Sequence, residues 1–268
     1  MSGETKSLGR KDKLDRFYTP SNIVNQCLQL LNLNEYDCII EPSAGMGNFS
    51  EKIPNCISYD IAPEKDYIIQ QDWFTLDKTN FKQYNNILVV GNPPFGEQNS
   101  LAIRFFNESA RFCNAIAFIL PLSFKKDSIQ NQLNLNFYLE KELLLDNCNF
   151  YLKNQEELTV PCVFQVWIKH NSPRKKKRLK TTSTLFSYVK KEEADFRVQR
   201  VGGNAGKASF DLNRAVSSNY FIKNNSNKTN EEFVDYINRL TFPTIEFTVG
   251  PKSLSKGEMV AVIEDNWN

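Results

Sequence analysis

Between Thr19 and Leu33 apolar residues recur at helical spacing: Ile23, Val24, Cys27, Leu28, Leu30 and Leu31. That period predicts a helix, with Ser21 after Pro20 as its N-cap. The pattern then changes to short continuous apolar runs bounded by turn residues. Cys38–Ile40, a run ending at Asp60, Ile87–Val90 and residues 115–124 (AIAFILPLSF) read as buried strands. A third short element leads to Gln71–Phe74. The turn after Cys38–Ile40 is expected to open into a helix. Residues 100–113 carry Leu101, Ile103, Phe105, Phe106 and Ala110 at helical spacing. Residues 129–145 fit neither period, and 150–170 read as two strands, the second from Val160 to Ile168. Buried strands alternating with helices predict a mostly parallel sheet covered on both faces, with functional loops at the strands' carboxyl ends. Beyond Lys180 the pattern weakens. Short β-type stretches surround GGNAGK, and 230–240 reads as one helix, so 181–268 is expected to be a small α+β appendage.

Composition changes this picture little, and charge changes it more. The chain has 268 residues, 41% hydrophobic and 24% charged, ordinary for a folded protein, and its length allows one large domain or one domain plus a small one. It has one histidine, His170, at the polar end of an apolar run, which reads as a surface residue. Mechanisms needing two histidines are thereby excluded. Six cysteines (Cys27, Cys38, Cys56, Cys113, Cys148, Cys162) occur singly without a CxxC pair, so no metal site is expected. Residues 1–13 are polar and are expected to be flexible. No signal peptide or membrane-length apolar run is legible, so an intracellular protein is expected, in cytoplasm or nucleus, with no membrane partner. The net charge of +2 conceals an asymmetry: residues 1–170 hold 16 basic and 20 acidic side chains, and residues 171–268 hold 17 and 11. The excess lies in RKKKRLK, Arg174–Lys180. Such a run points to a polyanion or a nuclear address, with a solvated linker as the plain alternative.

Three motifs carry chemistry. In EPSAGMG a strand ends at Glu41, and Ser43, Ala44, Gly45 and Gly47 form a tight turn whose glycines let a backbone approach a ligand. An ordinary glycine turn would look the same. Asp60 ends the next strand, 19 residues after Glu41, where an acid can accept bonds from ribose hydroxyls. The GxGxxG spacing of pyrophosphate binders is absent, because Gly47 is followed by Asn48, Phe49 and Ser50. A nucleoside ligand without a pyrophosphate, S-adenosylmethionine rather than NAD, fits better. Asp72 could bind an adenine amino group. Finally, GNPPFG (Gly91–Gly96) follows a buried strand. Its prolines donate no hydrogen bonds and hold the chain extended. Their carbonyls, the Asn92 side-chain oxygen and the Phe95 ring suit a planar base with an exocyclic amine.

This ordered set resembles the N6-adenine class of S-adenosylmethionine-dependent amino-methyltransferases. Their mark is a Pro-Pro pair preceded by Asp, Asn or Ser and followed by an aromatic residue. The order FYTP (Phe17–Pro20), EPSAGMG, acidic strand ends, NPPF and then a C-terminal segment is similar to the gamma arrangement of DNA adenine methyltransferases. The resemblance covers about residues 14–170. It implies a Rossmann-like class I methyltransferase fold, α/β with a mostly parallel seven-stranded sheet, and a small α+β C-terminal appendage. The implied division is a catalytic domain at 14–170, a basic linker at 171–183 and a region at 184–268 able to serve target recognition. Tyr18, Thr19 and Pro20 should border the methionine part of the cofactor. Glu41, Ser43, Ala44, Gly45 and Gly47 should form its loop, Asp60 with Ile61 should meet the ribose, and Asp72 with Trp73 or Phe74 the adenine. Asn92 and Pro93 should hold the target amine beside Pro94, with Asn92 also touching the cofactor, and Phe95 should stack on the base. Arg174, Lys175, Lys176, Lys177 and Arg178 are expected to contact phosphates. DNA is the expected substrate. The alternatives are RNA, a protein glutamine, or a non-catalytic nucleic-acid-binding subunit, and a partner subunit is an open expectation.

Overall fold

The computed structural model describes residues 17–145, 149–151, 157–177, 180–248 and 250–267. The expected flexible N-terminus (1–13), Cys148 and Arg178 lie outside them. The chain forms two compact units. One holds the residues up to Phe124 together with Ile129–Lys175, and the other holds Lys125–Ser128 and the chain from Lys176 onward.

The first unit contains, in order, α1 (Ser21–Leu28), β1 (Cys38–Glu41), β2 (Ile57–Asp60), β3 (Ile69–Gln70), β4 (Ile87–Gly91), α2 (Ser100–Ser109) and β5 (Ala115–Pro121). After a one-turn α3 (Asp127–Gln130), whose first two residues belong to the other unit, come β6 (Phe137–Leu145), the β7–β8 hairpin (Asn149–Tyr151, Glu157–Thr159) and β9 (Cys162–Lys169). The sheet order is β3-β2-β1-β4-β5-β9-β6. The first five strands are parallel, and β9 runs antiparallel to both neighbours. Every residue of β1, β4 and β5 is buried, which is why these strands read as unbroken apolar runs. Alternate residues feed opposite faces. Ile40, Val89, Ile116 and Phe118 pack with Ala102, Phe105 and Phe106 of α2. Ile39, Leu88, Val90 and Ala117 pack with Ile23, Val24 and Cys27 of α1. The result is a three-layer α/β sandwich in which β1, β2 and β4 end side by side at Glu41, Asp60 and Gly91.

Several expected boundaries move. Helix α1 stops at Leu28, and Leu30 and Leu31 reach the core from non-helical chain. Pro20 holds the N-cap position and Ser21 is the first helical residue. The glycine turn opens into a single 3-10 turn, Ser50–Lys52, because Pro54 follows at once. Helix α2 ends at Ser109. Strand β5 ends at Pro121, and Leu122–Lys125 is a 3-10 turn. Strand β9 starts at Cys162, after Pro161. The ambiguous stretch resolves into α3 and the edge strand β6, which is largely exposed and irregular between Leu139 and Lys141. His170 is exposed.

The second unit has an antiparallel sheet ordered β10-β13-β11-β12: β10 (Phe186–Tyr188), β11 (Phe196–Gln199), β12 (Ala208–Ser209) and β13 (Asn219–Asn224). Its core gathers Phe186, Phe196, Ile222, Phe233, Met259 and Ile263. Two helices cover it, α4 (Asn230–Arg239) and α5 (Lys256–Asp265), each started by a capping box, Thr229 with Glu232 and Ser255 with Glu258. Among the described residues no helix is long and apolar enough to cross a membrane.

Candidate functional site

A cleft of about 260 Å³ opens where β1, β2 and β4 end, walled on one side by Phe17, Tyr18 and Thr19. Its floor is the turn after β1. Gly45 and Gly47 have φ of +54° and +81°, and a methyl group on Gly47 would stand 1.9 Å from the Tyr67 hydroxyl. The turn therefore requires glycine on two counts. Asp60, 8% exposed at the end of β2, ties two loops together. The Gly45 N–H donates to its Oδ2 at 2.8 Å and the Ala62 N–H to its Oδ1 at 2.8 Å. Each oxygen retains a lone pair for a further donor.

Glu41 lies beneath the turn, 3% exposed, with Ser50 N–H donating to its Oε2 at 2.9 Å. Burial pushes its carboxyl up to about 8. The Ser50 bonds pull the other way, and the charges of Asp60 and Glu51 add to the rise. At neutral pH Glu41 keeps its proton and places no net charge beneath the cleft.

Asn92 sits at the end of β4. Its amide nitrogen donates to the Phe17 carbonyl at 3.3 Å and to Thr19 Oγ1 at 3.1 Å. Those two acceptors fix which way the amide points. Its oxygen, Oδ1, is buried and has no hydrogen-bond partner, and the Ser43 hydroxyl is orphaned in the same way. A buried polar atom left unpaired costs about 1–3 kcal/mol. Three such atoms belong to residues that line this cleft, the acceptor Asn92 Oδ1, the Ser43 hydroxyl and the donor Trp73 Nε1, so the cleft offers unmet hydrogen-bonding capacity of both kinds.

At the other end, Asp72 Oδ1 accepts from the Phe74 N–H at 2.9 Å. The Phe74 ring meets Phe105 edge-on with centroids 4.8 Å apart, and the Arg104 guanidinium lies 3.7 Å from its centroid. Ile61 is 53% exposed at the rim. The cleft is thus acidic and polar along β2 and aromatic near α2.

The expected residues Tyr18, Thr19, Glu41, Ser43, Ala44, Gly45, Asp60, Ile61, Asp72, Trp73, Phe74, Asn92 and Pro94 line this one cleft. Pro20, Gly47, Pro93 and Phe95 do not. Phe95 is 7% exposed, stacked on Phe17 (6.0 Å, 25°) and edge-on to Phe150 (6.5 Å, 86°). Of these three rings it is Phe17 that reaches the cleft. Sequence reasoning passed over Phe17, Pro42, Asn48, Phe49, Gln71, Leu101 and Phe105 as lining residues. Spacing offered a signal for the last two, four apart on α2 and so on one face. Asn48 was equally readable as a polar residue next to the glycine turn, and it donates to the Thr19 carbonyl at 2.6 Å.

The basic run is elsewhere and is not uniform. Arg174 Nε donates to the Phe137 carbonyl at 2.9 Å, Nη2 reaches the Gln130 carbonyl, and the guanidinium lies over Trp167. That side chain is committed to main-chain acceptors. Lys177 pairs with Asp127 at 3.1 Å, while Lys175 and Lys176 are exposed.

Five parallel strands ending in an antiparallel hairpin, in the order 3-2-1-4-5-7-6 when the small β7–β8 hairpin is set aside, define the class I S-adenosylmethionine-dependent methyltransferase fold. No protein-family model matches the chain. Over 102 residues, 35% of the chain, it is 31% identical to the type II methyltransferase M.HincII of Haemophilus influenzae. It matches M.HindII of the same species over the same length with the same identity. The matched part spans 19% of the length of each of these curated relatives. Among solved structures it is similar to one described as a candidate RNA methyltransferase of Pyrococcus horikoshii (15% identity, TM-score 0.44, 62% of this chain and 93% of that one). Another is the modification subunit of a candidate type I restriction enzyme of Vibrio vulnificus YJ016 (14%, 0.42, 60% and 46%). At such scores these likenesses carry no weight, and the fold rests on strand order and register.

Proposed function

We propose that this chain transfers a methyl group from S-adenosylmethionine to the N6 amine of adenine in DNA. The observation that carries the reading is the orphaned Asn92 Oδ1. The amide is locked with its nitrogen engaged and its oxygen turned to an empty bonding position, so what it lacks is a donor such as an exocyclic amine. The motif order FYTP, EPSAGMG, NPPF supports the adenine-specific form, as does local identity to curated methyltransferases.

S-adenosylmethionine fits the residues present. Asp60 offers acceptors for ribose hydroxyls, the Gly45–Gly47 turn allows close approach, and Asp72 with Phe74 borders a flat apolar wall. Tyr18 and Ser43 lie where the amino-acid end is expected. When bound, this cofactor supplies an electrophilic methyl group on a sulfonium centre. The chain's own part is positioning. Asn92 Oδ1 accepts one N–H bond of the amine, and the Pro93 carbonyl, at the edge of the cleft rather than in its lining, takes the other, drawing the nitrogen toward a tetrahedral shape and freeing the lone pair from the ring. The proton is lost after transfer, so no strong base is needed, and the lone histidine has no place in the chemistry. A duplex target must first be flipped out of its stack.

The test is labelled-methyl transfer to matched DNA and RNA panels, with nucleoside analysis of the product. N6-methyl-2′-deoxyadenosine is expected, and Asn92→Ala should lose about 10²–10³ of the rate, the usual loss on removing one transition-state hydrogen bond. Equal rates in that variant would overturn the mechanism. Label only in RNA, or only in protein glutamine, would overturn the DNA assignment. Absence of S-adenosylmethionine binding would point to the non-catalytic alternative.

A further inference from the structure

Tyr18 and Glu64 are 46 positions apart and meet beside the glycine turn, the Tyr18 hydroxyl donating to the Glu64 carboxylate. The Tyr18 ring lies against Gly45: a methyl group built there would stand 3.4 Å from Tyr18 Cε1. Glu64 is fastened to the same turn, since its N–H donates to the Gly45 carbonyl at 3.2 Å. The loop that carries Glu64 is held again one residue on, where Lys65 pairs with Glu51 at 3.6 Å. On the other side, the Tyr18 backbone exchanges bonds with Tyr151 at 2.9 and 3.1 Å. Tyr18 lines the cleft and Glu64 does not. A carboxylate outside the cleft therefore holds an aromatic wall residue across its floor.

We propose that Glu64 is a positioning residue of the cleft. Through the Tyr18 hydroxyl it fastens the Phe17–Pro20 segment as a strap across the Gly45 turn, and so sets how long an S-adenosyl ligand stays bound. The proposal rests on the S-adenosylmethionine reading above. With the hydroxyl unheld, the ring gains rotamer freedom, the wall loosens, and the ligand leaves faster. The association step is diffusional and changes less. Glu64 acts on the cleft wall through the Tyr18 hydroxyl, so removing either partner should loosen the wall alike, and removing both should fall well short of the product of the single effects.

Calorimetry and stopped-flow binding of S-adenosylmethionine and S-adenosylhomocysteine to the full chain test this. The variants are Tyr18→Phe, Glu64→Ala, their double substitution and Glu64→Gln. Each of the first two should raise Kd about tenfold, chiefly through faster dissociation, as expected for loss of one charge-assisted hydrogen bond. The double variant should fall well short of the product, where independent effects would multiply to about a hundredfold. Glu64→Gln, whose amide oxygen still accepts from Tyr18, should bind close to wild type. In transfer assays KM for S-adenosylmethionine should rise while kcat is kept, with thermal midpoints unchanged. Unchanged Kd, multiplying factors, or a Glu64→Gln as weak as Glu64→Ala would overturn the proposal alone. A wild-type chain that binds neither ligand would overturn the cofactor reading and this proposal with it.

Discussion

Replacing Glu41 by Gln should make the protein more stable, and more so as pH rises. Glu41 is 3% exposed and receives one backbone N–H from Ser50. Burial lifts its carboxyl from an ordinary 4.5 to about 8. The sign follows from proton counting. Between those two values the folded chain holds a proton that the unfolded chain has released, so stability falls as pH rises through the window. Below 4.5 both states are protonated and there is no cost. Above 8 the cost is complete. At about 1.36 kcal/mol per pH unit, the penalty grows to about 3 kcal/mol near pH 7 and about 5 kcal/mol near pH 9. Gln has the shape of the protonated acid, and its amide oxygen keeps the Ser50 bond. Urea unfolding of both proteins near pH 5, 7 and 9 measures the difference directly, and every other titrating group cancels in it. Glu41→Gln should differ from wild type by about 1 kcal/mol or less near pH 5 and exceed it by about 3 kcal/mol near pH 7. A difference that stays flat with pH, or one that favours wild type at high pH, would refute a buried neutral carboxyl.

The remaining expectations address the turn, the core, the basic run and a cap. Gly47→Ala places a methyl 1.9 Å from the Tyr67 hydroxyl at φ +81° and should destabilise by about 1–3 kcal/mol, read by urea unfolding. Adding Tyr67→Ala should recover the steric part of that loss and leave the backbone part. Phe106→Ala empties a site with no exposure between Phe137 and Trp167 and should cost about 3–5 kcal/mol. Lys175→Ala with Lys176→Ala should lower DNA affinity alike across sequences and reduce the salt slope by about 0.9 for each phosphate no longer neutralised, measured by fluorescence anisotropy against salt. Thr229→Ala breaks the capping box of α4 and should cost about 1 kcal/mol in the same unfolding assay.

What could be read from the sequence follows from where each signal is stored. Strands β1, β4 and β5 are buried on both faces, so burial alone writes them as apolar runs, and the turns after them are written in residues with backbone demands, Gly45, Gly47 and Pro93-Pro94. That is why the cleft's floor was legible. Strand β6 is an exposed edge with an irregular step at Leu139, so neither period survives in it. The Ser255-to-Glu258 box before Met259, Val260 and Ile263 did announce α5, and it was readable but overlooked. Other features exist only in three dimensions. Phe17 and Phe95 are equivalent flat rings in sequence, and only the fold, which stacks them on each other with both edge-on to Phe150, decides which one reaches the cleft. Arg174 looks like its lysine neighbours until the Gln130 and Phe137 carbonyls arrive beside it, from the end of α3 and from the first residue of β6. Asn92 is the instructive case, because the motif supplied the residue while distant contacts supplied its meaning. Phe17 and Thr19, more than seventy positions away, take its nitrogen and leave the oxygen bare. A motif of this kind is thus half of the candidate site, and the Phe17–Thr19 segment that orients its amide is the other half.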